Sequence, residues 1–328
     1  MFFKTGTVDR NHYPIHVVVI KNVLLFFVFS SAIVCGQSAL PEHGTMSKSG
    51  YVEYLPGNIP IIISVPHDGE KGPDFIVDRA GGDIHTKADR YTQEMGFAIR
   101  KAFFEMTGKI PFVIVNHMKR KKVDVNREVD EAAMGNQVAE SVWDDYHSYI
   151  DSAKEQVYSE FKKGLYIDLH AHDHTAQFLE LGYLLDAEEL ALEDADLNDE
   201  MFIEKSSIRN LIASSGNTLK FADVVRGKYS LGAMFDESGY PAVPSKEHPA
   251  PGLQSFFRGG YSLNRHGSAS GGTIDGIQIE TNYDDVRSSS VNINKFAHTF
   301  VKIMSQYMDR YYAFHIPQKV SSEEQSPK

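Results

Sequence analysis

Short runs of consecutive apolar residues alternate along this chain with longer stretches in which apolar residues recur every three or four positions. Ile59–Val65, Pro111–Val115 and Leu165–Leu169 are of the first kind. They are rich in β-branched residues, the pattern of strands buried on both faces. Residues 86–107 are of the second kind: Tyr91, Met95, Ala98, Ile99, Ala102, Phe103 and Met106 share one helical face, and Gly108 is a natural stop. Residues 137–161 predict a second long helix, ending before Gly164. Tyr51–Tyr54 and the turn Pro56-Gly57-Asn58 predict a hairpin into Ile59–Val65.

Further along, Phe202–Ala213 predicts a helix, Gly276–Thr281 a strand and Asn292–Tyr312 a closing helix. The acidic residues 186–200 read as a solvated loop and helix face. Ala233–Arg265, rich in Pro, Gly and aromatic residues, predicts a long loop over a pocket. Strands alternating with helices predict an α/β fold, a mixed, largely parallel sheet flanked by helices.

Composition narrows the function. The 328 residues are 42% hydrophobic and 23% charged, enough for a single large core. With 44 acidic against 33 basic residues the net charge is -11, which argues against nucleic acid as the main ligand. Lys4, Arg10 and Lys21 precede the apolar stretch Val23–Val34, with small residues around Cys35 and Gly36. That stretch is short for a membrane span and suits a signal peptide over residues 1–36; a retained signal anchor is the alternative. Residues 37–50 then form a linker, 51–316 one catalytic domain, and 317–328 a disordered tail. Cys35 is the only cysteine, so a mature chain has no disulfide, no thiol nucleophile and no cysteine-ligated zinc.

The candidate chemistry sits where predicted strands end. His67 and Glu70, in Pro66-His67-Asp68-Gly69-Glu70, follow the first buried run, and His170 closes Leu165-Tyr166-Ile167-Asp168-Leu169-His170. Two imidazoles and one carboxylate form the ligand set of a catalytic zinc that keeps one position open for water. Either part alone carries less weight, because His-x-x-Glu arises by chance and a lone histidine is more often simply hydrogen-bonded. Placement of both at strand ends, where α/β sheets build their sites, favours the metal. Asp168 lies two residues before His170, on the same side of an extended strand, and can orient it. His172 and His174 follow as loop residues available for substrate contact.

In Val123-Asp124-Val125-Asn126-Arg127 a guanidinium fork beside an amide suits a substrate carboxylate; the alternative is a structural arginine paired with a core acid. Arg120 is a second anchor or part of the basic run Lys119-Arg120-Lys121-Lys122. In Gly276-Ile277-Gln278-Ile279-Glu280-Thr281 the acid faces away from the isoleucines, and burying it is expensive unless it is used. Beside a zinc-bound water Glu280 could serve as general base, or it is an edge-strand acid in solvent. Arg287 either pairs with it or binds substrate.

Taken in order, Pro66-His67-Asp68-Gly69, the segment from Arg120 to Asn126-Arg127, Asp168-Leu169-His170 and Gln278-Ile279-Glu280 resemble the N-formylglutamate amidohydrolase family. The resemblance spans roughly residues 51–310. It implies a zinc-carboxypeptidase-like, phosphorylase/hydrolase-like fold and hydrolysis of the amide of an N-acylated acidic amino acid. It further implies Zn2+ held by His67 and His170, with Glu70 completing the site or Asp89, in Ala88-Asp89-Arg90-Tyr91-Thr92, in reserve. Asn126 and Arg127 would bind the substrate carboxylate, beside Arg120 as the second anchor read above, and Glu280 would be the general base and acid. The expectation is therefore a secreted zinc amidohydrolase whose partner is a small-molecule or peptide substrate with a free carboxylate, with no nucleic acid and no membrane partner beyond the signal. A secreted metallocarboxypeptidase and an inactive secreted binding protein of the same fold are the alternatives.

Overall fold

The four central strands end at one edge of the sheet, and that edge carries the chemistry. A computed structural model describes residues 40, 44–82, 84–216 and 218–319. The expected signal segment lies outside the described residues, as do parts of the expected linker and tail. Eight strands follow in chain order: β1 (Thr45–Met46), β2 (Val52–Leu55), β3 (Ile61–Val65), β4 (Phe112–Asn116), β5 (Gly164–Ala171), β6 (Leu179–Gly182), β7 (Ala242–Val243) and β8 (Ile274–Thr281). They form one sheet in the order β1-β2-β4-β3-β5-β8-β6-β7. Strands β4, β3, β5 and β8 are parallel; β1 with β2, β2 with β4, and β6 with β8 are antiparallel; β6 with β7 is parallel. The mixed, largely parallel α/β sheet read from the sequence is the observed one.

Parallel neighbours require long crossovers. The helix Thr92–Thr107 joins β3 to β4, and Gln137–Phe161 joins β4 to β5. Each lies on its own face of the sheet. Ile61, Ile63, Val65, Leu165, Ile167, Leu169, Ile277 and Ile279 point into one core with Thr92–Thr107 and the last helix, Ser290–Tyr312. Ile62, Ile114 and Tyr166 point into the other core, against Gln137–Phe161. On that second face the apolar row gives way to Ser64, Asp168 and Gln278, and one step further to His170 and Glu280. Strand alternation thus delivers a polar row to the C-terminal edge while its reverse side remains core.

Several expectations are corrected. The segments 51–54 and 59–65 do not form a hairpin; β4 lies between them, because Asn58 bonds Ile110 through both its backbone N–H and its side-chain oxygen and seats the turn against the entry to β4. Part of the expected linker is structured, since β1 pairs with β2 at the sheet edge. The helix predicted from residue 86 begins at Thr92, which leaves 86–91 as a loop. Phe202–Ala213 is two helices, Glu200–Lys205 and Arg209–Ala213, broken where the Ser207 carbonyl accepts from Ser268 and Gly276. The acidic stretch forms Ala187–Leu190 and Asp194–Leu197, the first with a reciprocal Asp186/Glu189 cap. The supposed loop Ala233–Arg265 contains most of the helix Leu231–Glu237, strand β7 and most of the helix Tyr261–His266. Among the described residues no helix is long and apolar enough to cross a membrane.

Candidate metal centre

His67 follows β3 by two residues and His170 is the next-to-last residue of β5, so both imidazoles leave adjacent parallel strands at the same edge. Their ring centroids are 4.8 Å apart. Between them stands Asp89, whose Oδ2 is 3.1 Å from His67 Nδ1 and 2.9 Å from His170 Nδ1. The Asp89 backbone is clamped in turn: its N–H donates to the His67 carbonyl, and its own carbonyl accepts from Thr92. Tyr91, at φ 72, takes the left-handed conformation that turns this loop into the helix.

Glu70 is not part of this group. The glycine after Asp68 packs against the neighbouring chain so closely that a Cβ at Gly69 would lie 2.2 Å from the Met118 carbonyl oxygen. Lys71 then bonds across to His117 and Lys119 as a β-bridge. That path sends Glu70 outward, where it is exposed. Asp89, the reserve residue, is the carboxylate that joins the two imidazoles.

Each imidazole is also gripped from behind. His67 Nε2 is 2.7 Å from Asp124 Oδ1, and His170 Nε2 is 3.0 Å from Asp168 Oδ2. Ser64 donates to Asp168 at 2.6 Å and accepts from the Tyr166 hydroxyl at 2.7 Å. Asp124 receives, besides His67, the Asn126 N–H at 3.1 Å and Arg120 Nε at 3.0 Å, with Arg79 Nη1 at 3.5 Å. Burial alone would raise both aspartates, yet their hydrogen-bonding and charged partners outweigh it. Asp124 is held well below the usual carboxylate range by His67 and Arg120, and Asp168 is lowered by His170 and the Ser64 hydroxyl.

This donor set fits a divalent cation. A neutral imidazole has one N–H. Donated from Nε2 to Asp124 or Asp168, it leaves Nδ1 with a lone pair facing the lone pairs of Asp89 Oδ2. Two such contacts near 3 Å repel unless a proton or a metal ion intervenes. Burial depresses the His170 imidazole, but Asp168 and Asp89 outweigh it and push it well above its ordinary value. An ion at the centre would take over the role of that proton. The candidate ligating atoms of His67, Asp89 and His170 lie within 4.8 Å of one another. Nitrogen and carboxylate donors at bonds of roughly 2 Å and tetrahedral angles sit roughly 3.3 Å apart, which matches the Asp89 contacts. Three protein ligands would leave one position open, as catalytic zinc requires.

Glu280 stands beside His170 in the β5–β8 ladder and opposite Glu180 in the β8–β6 ladder, so all three share a row across one face. Its Oε1 accepts from Gln278 at 2.9 Å, while its buried Oε2 has no partner. Burial, with Asp89 and Glu180 adding and His170 and Arg120 opposing, pushes this carboxyl up to about 8. It is a buried acid of the core edge, not a solvated edge-strand glutamate.

Two clefts, of about 1090 and about 850 Å³, meet at Ala88, Arg90, Tyr91 and Arg120, which line both. Glu70, Asp68 and His117 border the larger; Asp89, His172, His174, Phe257, Tyr283 and Arg287 border the smaller. Arg120 spans the two, with Nη1 3.2 Å from Asp89 Oδ1. Arg127 borders neither; it pairs with Glu131 at 3.0 Å and bonds its own chain at the Asn126 carbonyl. The Asn126 amide is buried and holds the loop above it, accepting from Ser262 N–H at 2.7 Å, with Nδ2 3.4 Å from His170 Nε2. Arg287 does not pair with Glu280: its guanidinium donates to the carbonyls of Thr281, Arg90 and His172, and it stacks on Tyr283.

Sequence reasoning passed over Asp124 and Glu180. The first had a signal, since Val123-Asp124-Val125 puts an acid between buried valines. Glu180 in Phe178-Leu179-Glu180-Leu181 had the same one, a lone acid in an apolar run.

No protein-family model and no curated protein matches this chain. Among solved structures it is similar to an N-formylglutamate amidohydrolase from Ralstonia eutropha JMP134, at 13% identity and a TM-score of 0.46, covering 79% of this chain and 98% of that one. It is also similar to a gene product of Agrobacterium tumefaciens, at 10% identity and a TM-score of 0.45, covering 79% of this chain and 95% of that one.

Proposed function

We propose that this chain is a zinc-dependent amidohydrolase that cleaves the amide of a small N-acyl amino acid, of the N-formylglutamate kind. One observation carries the reading: the Nδ1 atoms of His67 and His170 converge on one oxygen of Asp89, each imidazole held from behind by a buried aspartate, beside a glutamate with an unpartnered buried oxygen. Zinc held by His67, Asp89 and His170 would supply a Lewis acid for the scissile carbonyl and an acidified water. Asp124 and Asp168 fix the tautomers that leave both Nδ1 atoms free as donors. Glu280 accepts the proton of the attacking water at Oε2.

Arg120 is better placed than Arg127 to hold the substrate carboxylate, because it borders both clefts and its Nη2 makes no hydrogen bond among the described residues. A cleft of about 850 Å³ beside Asp89 suits a small molecule over a long peptide. Secretion directed by residues 1–36 belongs to the same proposal.

The test is metal analysis of the purified protein, then turnover of formyl-, acetyl- and peptidyl-amino acids before and after chelation. Zinc at one equivalent, and turnover that disappears with it, is the expected outcome. Asp89→Asn protein that bound zinc as tightly as wild type would sink the site.

A further inference from the structure

A second cluster lines the smaller cleft: His172, His174 and Glu180, with candidate ligating atoms within 4.8 Å of one another. Its hydrogen bonds argue against a second metal. His172 donates from Nε2 to the Phe178 carbonyl at 2.8 Å, and its Nδ1 accepts the His174 N–H at 3.1 Å. Both ring nitrogens are therefore committed and the tautomer is fixed. Glu180 Oε2 accepts the Phe257 N–H at 2.8 Å, and Oε1 lies 2.6 Å from His174 Nδ1. That separation is a charge-assisted hydrogen bond, too short to admit an ion between the two atoms.

What remains is one imidazole with one uncommitted nitrogen. His174 stacks on Phe257 with centroids 4.7 Å apart at 27°. Its Nδ1 is tied to a carboxylate only 2% exposed, its side chain is 20% exposed, and its Nε2 makes no hydrogen bond among the described residues. It borders the same cleft as Asp89. Glu180, which holds it, is the direct cross-strand partner of Glu280. A carboxylate–imidazole pair in a cleft wall, with its outer nitrogen uncommitted, is the arrangement of an oriented general acid or base.

We propose that His174, oriented by Glu180, is a second catalytic residue of this site, the one that protonates the leaving amine. The assignment rests on the amidohydrolase reading above and adds to it. Water adds to the acyl carbon and gives one proton to Glu280. As the C–N bond breaks, its electron pair goes to nitrogen, and His174 Nε2–H supplies the proton that makes the amine a leaving group. Glu280 then releases its proton to solvent and His174 regains one from solvent, so the products are the free acid and the amine. Glu180 stabilises the imidazolium before transfer and fixes the ring so that Nε2 is the donor.

Leaving-group chemistry separates this role from a structural one. Zinc-loaded wild type, His174→Gln and Glu180→Gln are assayed on N-formyl-L-glutamate and on p-nitrophenyl acetate, whose phenolate departs without a proton. For His174→Gln, kcat on the amide should fall about 100-fold or more, the usual scale of a lost general acid, while KM and the ester rate stay within about threefold. Glu180→Gln should show a smaller loss in the same direction. Equal loss on both probes would make His174 structural, and an unchanged amide rate would leave it without a role; either overturns the proposal. If the wild type hydrolyses neither probe, the amidohydrolase reading itself fails, visibly before any variant is compared.

Discussion

Asp124→Asn tests the proposed metal centre without changing a proposed ligand. Asp124 is fully buried and lines neither cleft, so the change reaches the cleft wall only through Arg120, whose Nε it holds. It replaces the carboxylate acceptor at 2.7 Å that keeps the His67 proton on Nε2. An amide at that position can present an N–H instead, and His67 then gains by moving its proton to Nδ1, the atom needed for zinc. Loss of such a supporting carboxylate typically costs about 10- to 100-fold in metal affinity, or ~1.4–2.8 kcal/mol. A second effect is independent of metal. Arg79 and Arg120 lose one charge partner, and breaking a buried pair costs about 3–5 kcal/mol. Arg120 keeps Asp89, so the lower end, ~3 kcal/mol, is expected, a fall in Tm of ~6 °C or more for a domain of this size.

The pH dependence has a definite sign. The folded Asp124 carboxyl is depressed, so its contribution is present above the unfolded value of ~4 and is lost as pH falls through the folded value. The Tm difference between chelated wild type and variant should therefore narrow in acid. Zinc affinity by chelator competition and melting of the chelated proteins separate the two effects. A variant that lost stability but bound zinc within twofold of wild type would refute the orienting role and leave His67 an ordinary buried histidine.

Glu280→Gln should abolish turnover while zinc content, measured on the same preparation, stays at the wild-type level. Arg120→Ala should raise KM and lower Tm together, whereas Arg127→Ala should change both kinetic constants by less than about twofold, since it breaks a surface pair worth ~0–1 kcal/mol. Asp275, far along β8 from the site, is pushed by burial from 3.8 up to about 6 despite four donors. Stability from this raised carboxyl is present below the unfolded value and lost as pH rises through about 6, by roughly 3 kcal/mol in all. Chemical denaturation from pH 4 to pH 8 should show that slope in wild type and not in Asp275→Asn; parallel profiles would count against it. Zinc binding near neutral pH should release protons, measurable by calorimetry in buffers of different ionisation enthalpy, and a buffer-independent heat would contradict the donor assignment.

The strands at the heart of the sheet were legible because burial on both faces leaves continuous apolar runs, and Ile61–Val65 or Leu165–Leu169 can be little else. Their partners were not. Whether β2 pairs with β3 or β4 depends on contacts of Asn58 and Ile110, residues far apart in the chain that no local pattern links. His67, His170 and Glu280 were visible because each is a polar residue interrupting or closing such a run. Glu70 was misread because a three-residue spacing means one face only in a helix, and the close approach of Gly69 to Met118 makes this segment turn away. Asp89 carried little local signal: it lies in a loop, and its place is set by the carbonyl of His67. Glu180 carried the signal of a lone acid in an apolar run, but its four-residue strand is the shorter of β8's partners, and nothing local ties it to Glu280 across the ladder.

Charge balance explains why so many acids are buried together here. Asp89, Asp124, Asp168 and Glu280, ionised, carry four negative charges, while Arg79 and Arg120 return two; with neutral imidazoles the set sums to minus two. An interior of low dielectric does not keep such a sum uncompensated. Protons can supply the balance, and the groups that take them are the ones displaced upward, His170 and Glu280. One divalent cation supplies the same two charges at a single point, among atoms already separated by ligand-to-ligand distances. It would leave His170 neutral as a donor and Glu280 ionised as a base, the two protonation states that hydrolysis requires. The carboxylates beside it raise the imidazole, while burial first and then Asp89 and Glu180 raise the carboxyl; two positive charges at the centre would relieve both.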